Sequence, residues 1–195
     1  DLSLLKNIKN FPNIALGIDD VTIVGKNAFD GDTLLNLGNA TVSLDIMSVI
    51  KGEQYKVEAI ELNDLTLNAI VNKEGFQNWN IIKPSTDSSK SASKPFKLAL
   101  NKLVLDNINI NYDDLQGGAA LKITNLNHTG KGDFTSDILD YKSSTDIDKT
   151  SASKGLVTYL KNAKINFESI LNIDQKNKKY SFKDNKLSLN DLGLL

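Results

Sequence analysis

Apolar and polar residues alternate with period two along most of the chain, which is the signature of half-buried β-strands. Ile14-Ala15-Leu16-Gly17-Ile18, Ile108-Asn109-Ile110-Asn111-Tyr112 and Ile165-Asn166-Phe167 are examples, each bounded by Asn, Asp or Gly. Helical spacing is scarce. Asp45 to Lys51 predicts a short helix capped by Asp45 and stopped by Gly52. Leu156 to Ala163 fits a helix or a strand equally well, and Leu2 to Phe11 reads as a helix end or a frayed entry.

Aligning the alternating segments exposes a repeat. Leu16 to Ile23, Ile60 to Leu67, Leu103 to Ile110 and Leu187 to Leu194 each read apolar-x-apolar, two polar or small residues, then apolar-x-apolar. Looser copies begin at Leu35 and Leu121. Apolar positions separated by an odd step cannot share one side of a regular strand. One extra residue in a β-bulge would restore the face, with Asn39, Asn63, Asn107, Asn125 and Asn190 at the slip. The expected fold is therefore mainly β: long bent antiparallel strands forming a curved sheet or open groove, with one or two short helices. Leu62, Leu65, Leu67, Leu103, Leu105, Ile108 and Ile110 are the candidate groove-lining residues. The uneven spacing of the copies excludes a strict solenoid.

Two stretches break the pattern. Residues 85–94, between Pro84 and Pro95, are Ser- and Lys-rich and read as a flexible linker dividing a first β-unit (1–84) from a second (95–195). Lys142 to Lys154 is similar in composition, but Ile147 interrupts it, so an exposed edge strand with a loop fits equally.

Composition then removes chemistries. The 195 residues carry no Cys, one His and one Trp, with a formal net charge of -1. No disulfide, thiol nucleophile or thiolate metal site is available. All 23 basic residues are Lys, and no basic patch with interleaved aromatics marks a nucleic-acid surface. His128 lacks the nucleophile elbow that a hydrolase triad needs, and reads as a hydrogen-bonded strand-end histidine. Asp19-Asp20 and Asp113-Asp114 are adjacent on strands, so each pair splits between two faces and cannot flank one scissile bond. Asp30-Gly31-Asp32 lacks the remaining ligands of a calcium loop. No catalytic residue, metal site or cofactor is expected. No segment is long and apolar enough to span a bilayer as a helix. The chain opens on Asp1, which predicts that any leader or anchor lies outside it. Asn occurs 23 times, which an AT-rich genome explains in part.

One segment is more specific. Val42-Ser43-Leu44 leads through Ile46 to Gly52 into Val57 to Leu62, and then to Lys73-Glu74-Gly75-Phe76-Gln77-Asn78-Trp79-Asn80. This resembles the AsmA family of Gram-negative envelope proteins, in particular its Bacteroidetes-like members, with Gly75, Asn78 and Trp79 on the family's motif and Glu74 and Asn80 in place of its acids. Phe96 to Asp114 is similar to the family's second repeat. The residues themselves read the motif as a hairpin turn, with Gly75 at the corner and Trp79 plugging the apolar face. The resemblance implies a periplasmic segment tethered to the inner membrane in the full-length protein. Such a segment would be non-catalytic and would contribute an apolar β-groove for phospholipid acyl chains in lipid transport or outer-membrane biogenesis. The alternative is a self-packed β scaffold or adhesin-like module that binds an envelope protein partner.

Overall fold

Eight long strands pair edge to edge in chain order, and a three-residue strand adds to each end. The computed structural model describes residues 2–4, 13–51, 55–81, 96–190 and 192–194. The strands are β1 (Leu2–Leu4), β2 (Asn13–Val24), β3 (Thr33–Asp45), β4 (Tyr55–Val71), β5 (Phe96–Asp114), β6 (Ala119–Lys131), β7 (Ile138–Lys154), β8 (Val157–Asp174), β9 (Lys179–Leu189) and β10 (Leu192–Leu194). They form one sheet in the order β1 to β10, and it does not close on itself. The mainly β expectation is met. Helix α1 (Ile46–Lys51) joins β3 to β4, and its cap is as read from sequence: the Ser48 N–H donates to Asp45 Oδ1 at 2.7 Å. A 3-10 turn, Asn27–Phe29, lies between β2 and β3.

All neighbours are antiparallel except β4 and β5, which run parallel from Tyr55 beside Phe96 to Val71 beside Asp114. This junction lays two repeat copies side by side in register, with Ile60 beside Leu103, Leu62 beside Leu105 and Leu67 beside Ile110. The proposed linker, 85–94, lies outside the described residues. So do Gly52, Leu5 to Phe11 and Asp191, while Leu2–Leu4 is strand rather than helix.

The slip in the repeat is resolved by left-handed residues. Asp20, Asp64, Asn107 and Asn125 all have φ between 51° and 56°. Each occupies the fifth position of its copy, where one residue in this conformation reverses the pleat. Asp64 takes this place in the Ile60 copy, one residue after the expected Asn63. Asn39 has no left-handed turn. In its copy β3 passes the kink at Gly38, where a Cβ would come within 2.9 Å of the Asp64 Cβ. The expected bulge is absent between β2, β3 and β4, whose register continues unbroken across the kink: Asp19 pairs with Asn39 and Val21 with Leu37, then Asn39 with Asn63 and Leu37 with Leu65. These strands carry the extra residue in step, so no partner is left opposite two residues. At the slip of the Leu103 and Leu121 copies the β5/β6 register does shift, between Leu105 and Ile108 and again between Ile108 and Ile110. Beyond β6 the ladder shifts at β7/β8 between Ile147 and Thr150 and at β8/β9 between Ser169 and Leu171.

Two further sequence readings are corrected. Lys142 to Lys154 is neither linker nor edge. It belongs to β7, which pairs with β6 on one side and β8 on the other along its length. Its backbone ladder is satisfied on both sides, which compensates for its weakly apolar side chains. The Leu187 copy is not one bent strand, because Leu192 pairs back onto Leu189 and the copy turns as a hairpin at Asn190, φ 52°. The ambiguous stretch from Leu156 resolves as the start of β8.

Candidate functional site

Residues paired across a ladder share a face, so the register traces side-chain rows over the sheet. One row crosses eight strands: Ile18, Ala40, Leu62, Leu105, His128, Thr145, Phe167 and Leu187. A second contains Val21, Leu37 and Leu65 on β2–β4, then Ile108, Leu126, Ile147, Ile165 and Leu189 on β5–β9. A third runs Ile23, Leu35, Leu67, Ile110, Ile123, Thr150 and Ala163. On β7 the first two rows are two residues apart, Thr145 and Ile147, so ordinary alternation puts them on one face. Register carries that face to β5 and beyond, where Leu105 and Ile108 are three apart and Asn107 absorbs the difference.

Leu62, Leu65, Leu67, Leu105, Ile108 and Ile110 thus lie together in these rows. Leu103 joins a fourth row with Leu16, Val42 and Ile60. That row loses its bulk across β6–β9, where it continues as Gly130, Ser143, Ser169 and Asn185. Leu37, Ile108 and Ile147 of the second row and Thr150 and Ala163 of the third are buried, and the neighbouring leucines are half-buried. No described side chain falls below 2% exposure. No second layer of described strands or helices covers this face.

Sequence reasoning did not foresee a polar inset in the face. His128 Nδ1 lies 2.8 Å from Thr145 Oγ1, and its Nε2 lies 2.9 Å from the Tyr141 hydroxyl. A neutral imidazole, one nitrogen donating and one accepting, satisfies both hydroxyls. Burial pushes the imidazole below its ordinary value and the Tyr141 phenol above its own. The Tyr141 ring stacks on His128 at 6.3 Å, meets Phe134 at 5.7 Å and covers Gly130, where a Cβ would collide with its hydroxyl. The signal was present in the lone His at a strand end, but nothing in sequence pairs residue 128 with residue 141.

The Gly75, Asn78 and Trp79 motif is a turn that clips onto β4. Gly75 has φ 86°. Asn78 is buried at 3% exposure and acts as a surrogate strand residue: its Nδ2 donates to the Asn68 carbonyl at 2.7 Å, and its Oδ1 accepts from the Ile70 N–H at 2.9 Å. Trp79 leans on Tyr112 with ring centroids 6.4 Å apart and remains 38% exposed. It borders the apolar face rather than plugging it.

The reverse face is polar. A hollow of about 960 Å³ is bordered by Lys102, Lys131, Lys142 and Lys186. These alternate with Leu103, Gly130, Ser143 and Asn185, while Tyr141, which covers Gly130 on the apolar face, does not border it. Among the described residues no cluster of His, Asp and Glu could hold a metal ion, and no helix is long and apolar enough to cross a membrane. No protein-family model, curated protein or solved structure matches the chain.

Proposed function

We propose that this chain is a non-catalytic wall segment that holds phospholipid acyl chains against its apolar face, as a part of an AsmA-like envelope protein. The observation that carries the reading is the continuity of the apolar rows. The Leu62 and Leu105 row crosses eight strands with only the His128 and Thr145 inset to interrupt it. Continuity is what an acyl path requires. Each methylene in water costs about 0.8 kcal/mol, so a tail of roughly 16 carbons costs about 12, and a gap of even a few carbons slows passage by orders of magnitude. The resemblance at Gly75, Asn78 and Trp79 supplies the envelope setting. Lipid-facing leucines that pack only half-buried are consistent with a face built to meet a mobile ligand.

Photo-crosslinking tests this. A benzophenone side chain at Leu62 or Leu105 is expected to capture phosphatidylethanolamine acyl chains, detected by mass spectrometry. The same probe at Glu61 or Val104, one residue along and on the opposite face, is expected to capture none. Absence of adducts at all four positions, or equal capture on both faces, overturns the reading.

A further inference from the structure

At the sheet end opposite α1, three successive turns project large apolar side chains into solvent. Phe76, in the turn after β4, is 63% exposed. Leu115, between β5 and β6, is 55% exposed, and Leu156, between β7 and β8, is fully exposed at 104%. Backbone hydrogen bonds join these turns into one rim: the Leu115 N–H donates to the Val71 carbonyl at 2.9 Å, and the Gly155 N–H to the Gly118 carbonyl at 2.8 Å. Strand spacing sets the rim's width at roughly 20 Å. From this geometry we infer that the rim inserts its tips into the interfacial layer of a lipid bilayer.

Three observations select a bilayer as the occupant. The first is shape. Separate convex points need a matching socket each on a rigid partner, whereas a fluid interface conforms to all of them. The second is the state of the turn backbone. Each N–H from Leu115 to Gly118 already has an internal acceptor. Leu115 uses Val71, Gln116 and Gly117 both use the Asp114 carboxylate, and Gly118 uses the Asp114 carbonyl. The N–H groups of Glu74 and Phe76 donate to Asn72 Oδ1, and that of Gly75 to the Asn72 carbonyl. The turns after β4 and β5, with these donors satisfied, can leave water without stranding them. The third is the belt behind the tips. The amphipathic rings of Trp79 and Tyr159 are partly exposed there, a placement preferred at headgroup depth. Charge at this end is mixed, with exposed Lys26, Lys73 and Lys154 beside exposed Asp30, Asp32, Glu74 and Asp113, so the apolar tips and the aromatic belt carry the inference.

The only Trp of the chain stands in this rim, so its emission reports the event directly. With vesicles of phosphatidylethanolamine and phosphatidylglycerol, the chain is expected to co-sediment, its Trp79 emission to shift to shorter wavelength, and acyl-brominated lipid to quench it. Combined Phe76→Ser, Leu115→Ser and Leu156→Ser substitution, at exposed positions that do not build the sheet, is expected to lower vesicle partition about tenfold or more with the circular dichroism unchanged. Two results overturn the inference: an intact chain that stays in the supernatant, or a triple variant that still co-sediments as before. A third is lipid-free self-association that the triple variant abolishes, because the tips would then serve a second copy. Rim insertion is independent of acyl capture by the apolar face. A chain that sediments with vesicles but gives no adduct at Leu62 or Leu105 would sink the groove reading alone.

Discussion

Asn107 illustrates why this chain uses so much asparagine. A left-handed residue in a strand turns its N–H out of the ladder, and that donor needs a new acceptor. The Asn107 N–H finds Asn127 Oδ1 at 3.0 Å, and the Asn125 N–H finds Asn109 Oδ1 at 3.1 Å. Asn162, at φ 50°, donates its N–H to Ser151 Oγ at 3.0 Å. Asparagine therefore serves twice, tolerating the positive φ at one position and supplying the acceptor at another. Side chains bridge the same line: Asn39 to Asp19 at 2.5 Å, Asn63 to Asn39 at 3.1 Å and Asn107 to Asp64 at 2.7 Å. Asn107→Gly, which accepts the conformation, is expected to stay within about 1 kcal/mol of the parent. Asn107→Val, β-branched at positive φ, is expected to lose about 1–3 kcal/mol, read from urea midpoints. The octet pattern made the position of this strain visible in sequence. It did not tell Asn63 from Asp64, because two adjacent polar residues carry the same signal.

At the scale of elements, alternation located the strands whose apolar residues sit two apart, and it located the α1 cap. It failed over Lys142 to Lys154 of β7, where Ser143, Ser144, Thr145, Ser151 and Ser153 leave little contrast between faces and Ile147 is the one large apolar residue on the inner face. Such a strand is held by its neighbours, a relation that no local window contains. It failed again at Leu187 to Leu194, because a polar pair between two apolar triplets can kink a strand or reverse it, and Asn suits both. The turn after β4 was legible in its residues, since Gly75 marked the corner, but the burial of Asn78 was not. Asn78→Ala is expected to orphan the Ile70 N–H and the Asn68 carbonyl at that contact. The predicted cost is about 1–3 kcal/mol, with amide exchange at Ile70 rising before that of β5.

For the whole molecule, the decisive junction is the parallel pair of β4 and β5. Hydrophobic pattern carries no strand direction, so two antiparallel units were expected and their mode of joining was not. After a shift between Val57 and Ala59 the junction keeps one register to Val71, with Lys102 Nζ on Glu61 Oε1 at 2.6 Å and Asn111 Nδ2 on Asn68 Oδ1 at 2.8 Å across it. Produced as separate chains, residues 1–84 and 95–195 are expected to recombine into one species in analytical ultracentrifugation. Two non-interacting monomers would show that the junction contributes little.

The in-register junction also bears on how such a molecule could lengthen. At β4/β5 a repeat copy lies beside its own counterpart, so the left-handed Asp64 meets the left-handed Asn107 and each apolar row passes through without a step. A tandem duplication inserted there would meet the same boundary on either side, and every row would simply continue. Each added strand would extend the molecule by about 4.8 Å without redesign of any other part. In a sheet of this kind span is a matter of copy number, and evolution could adjust it by counting.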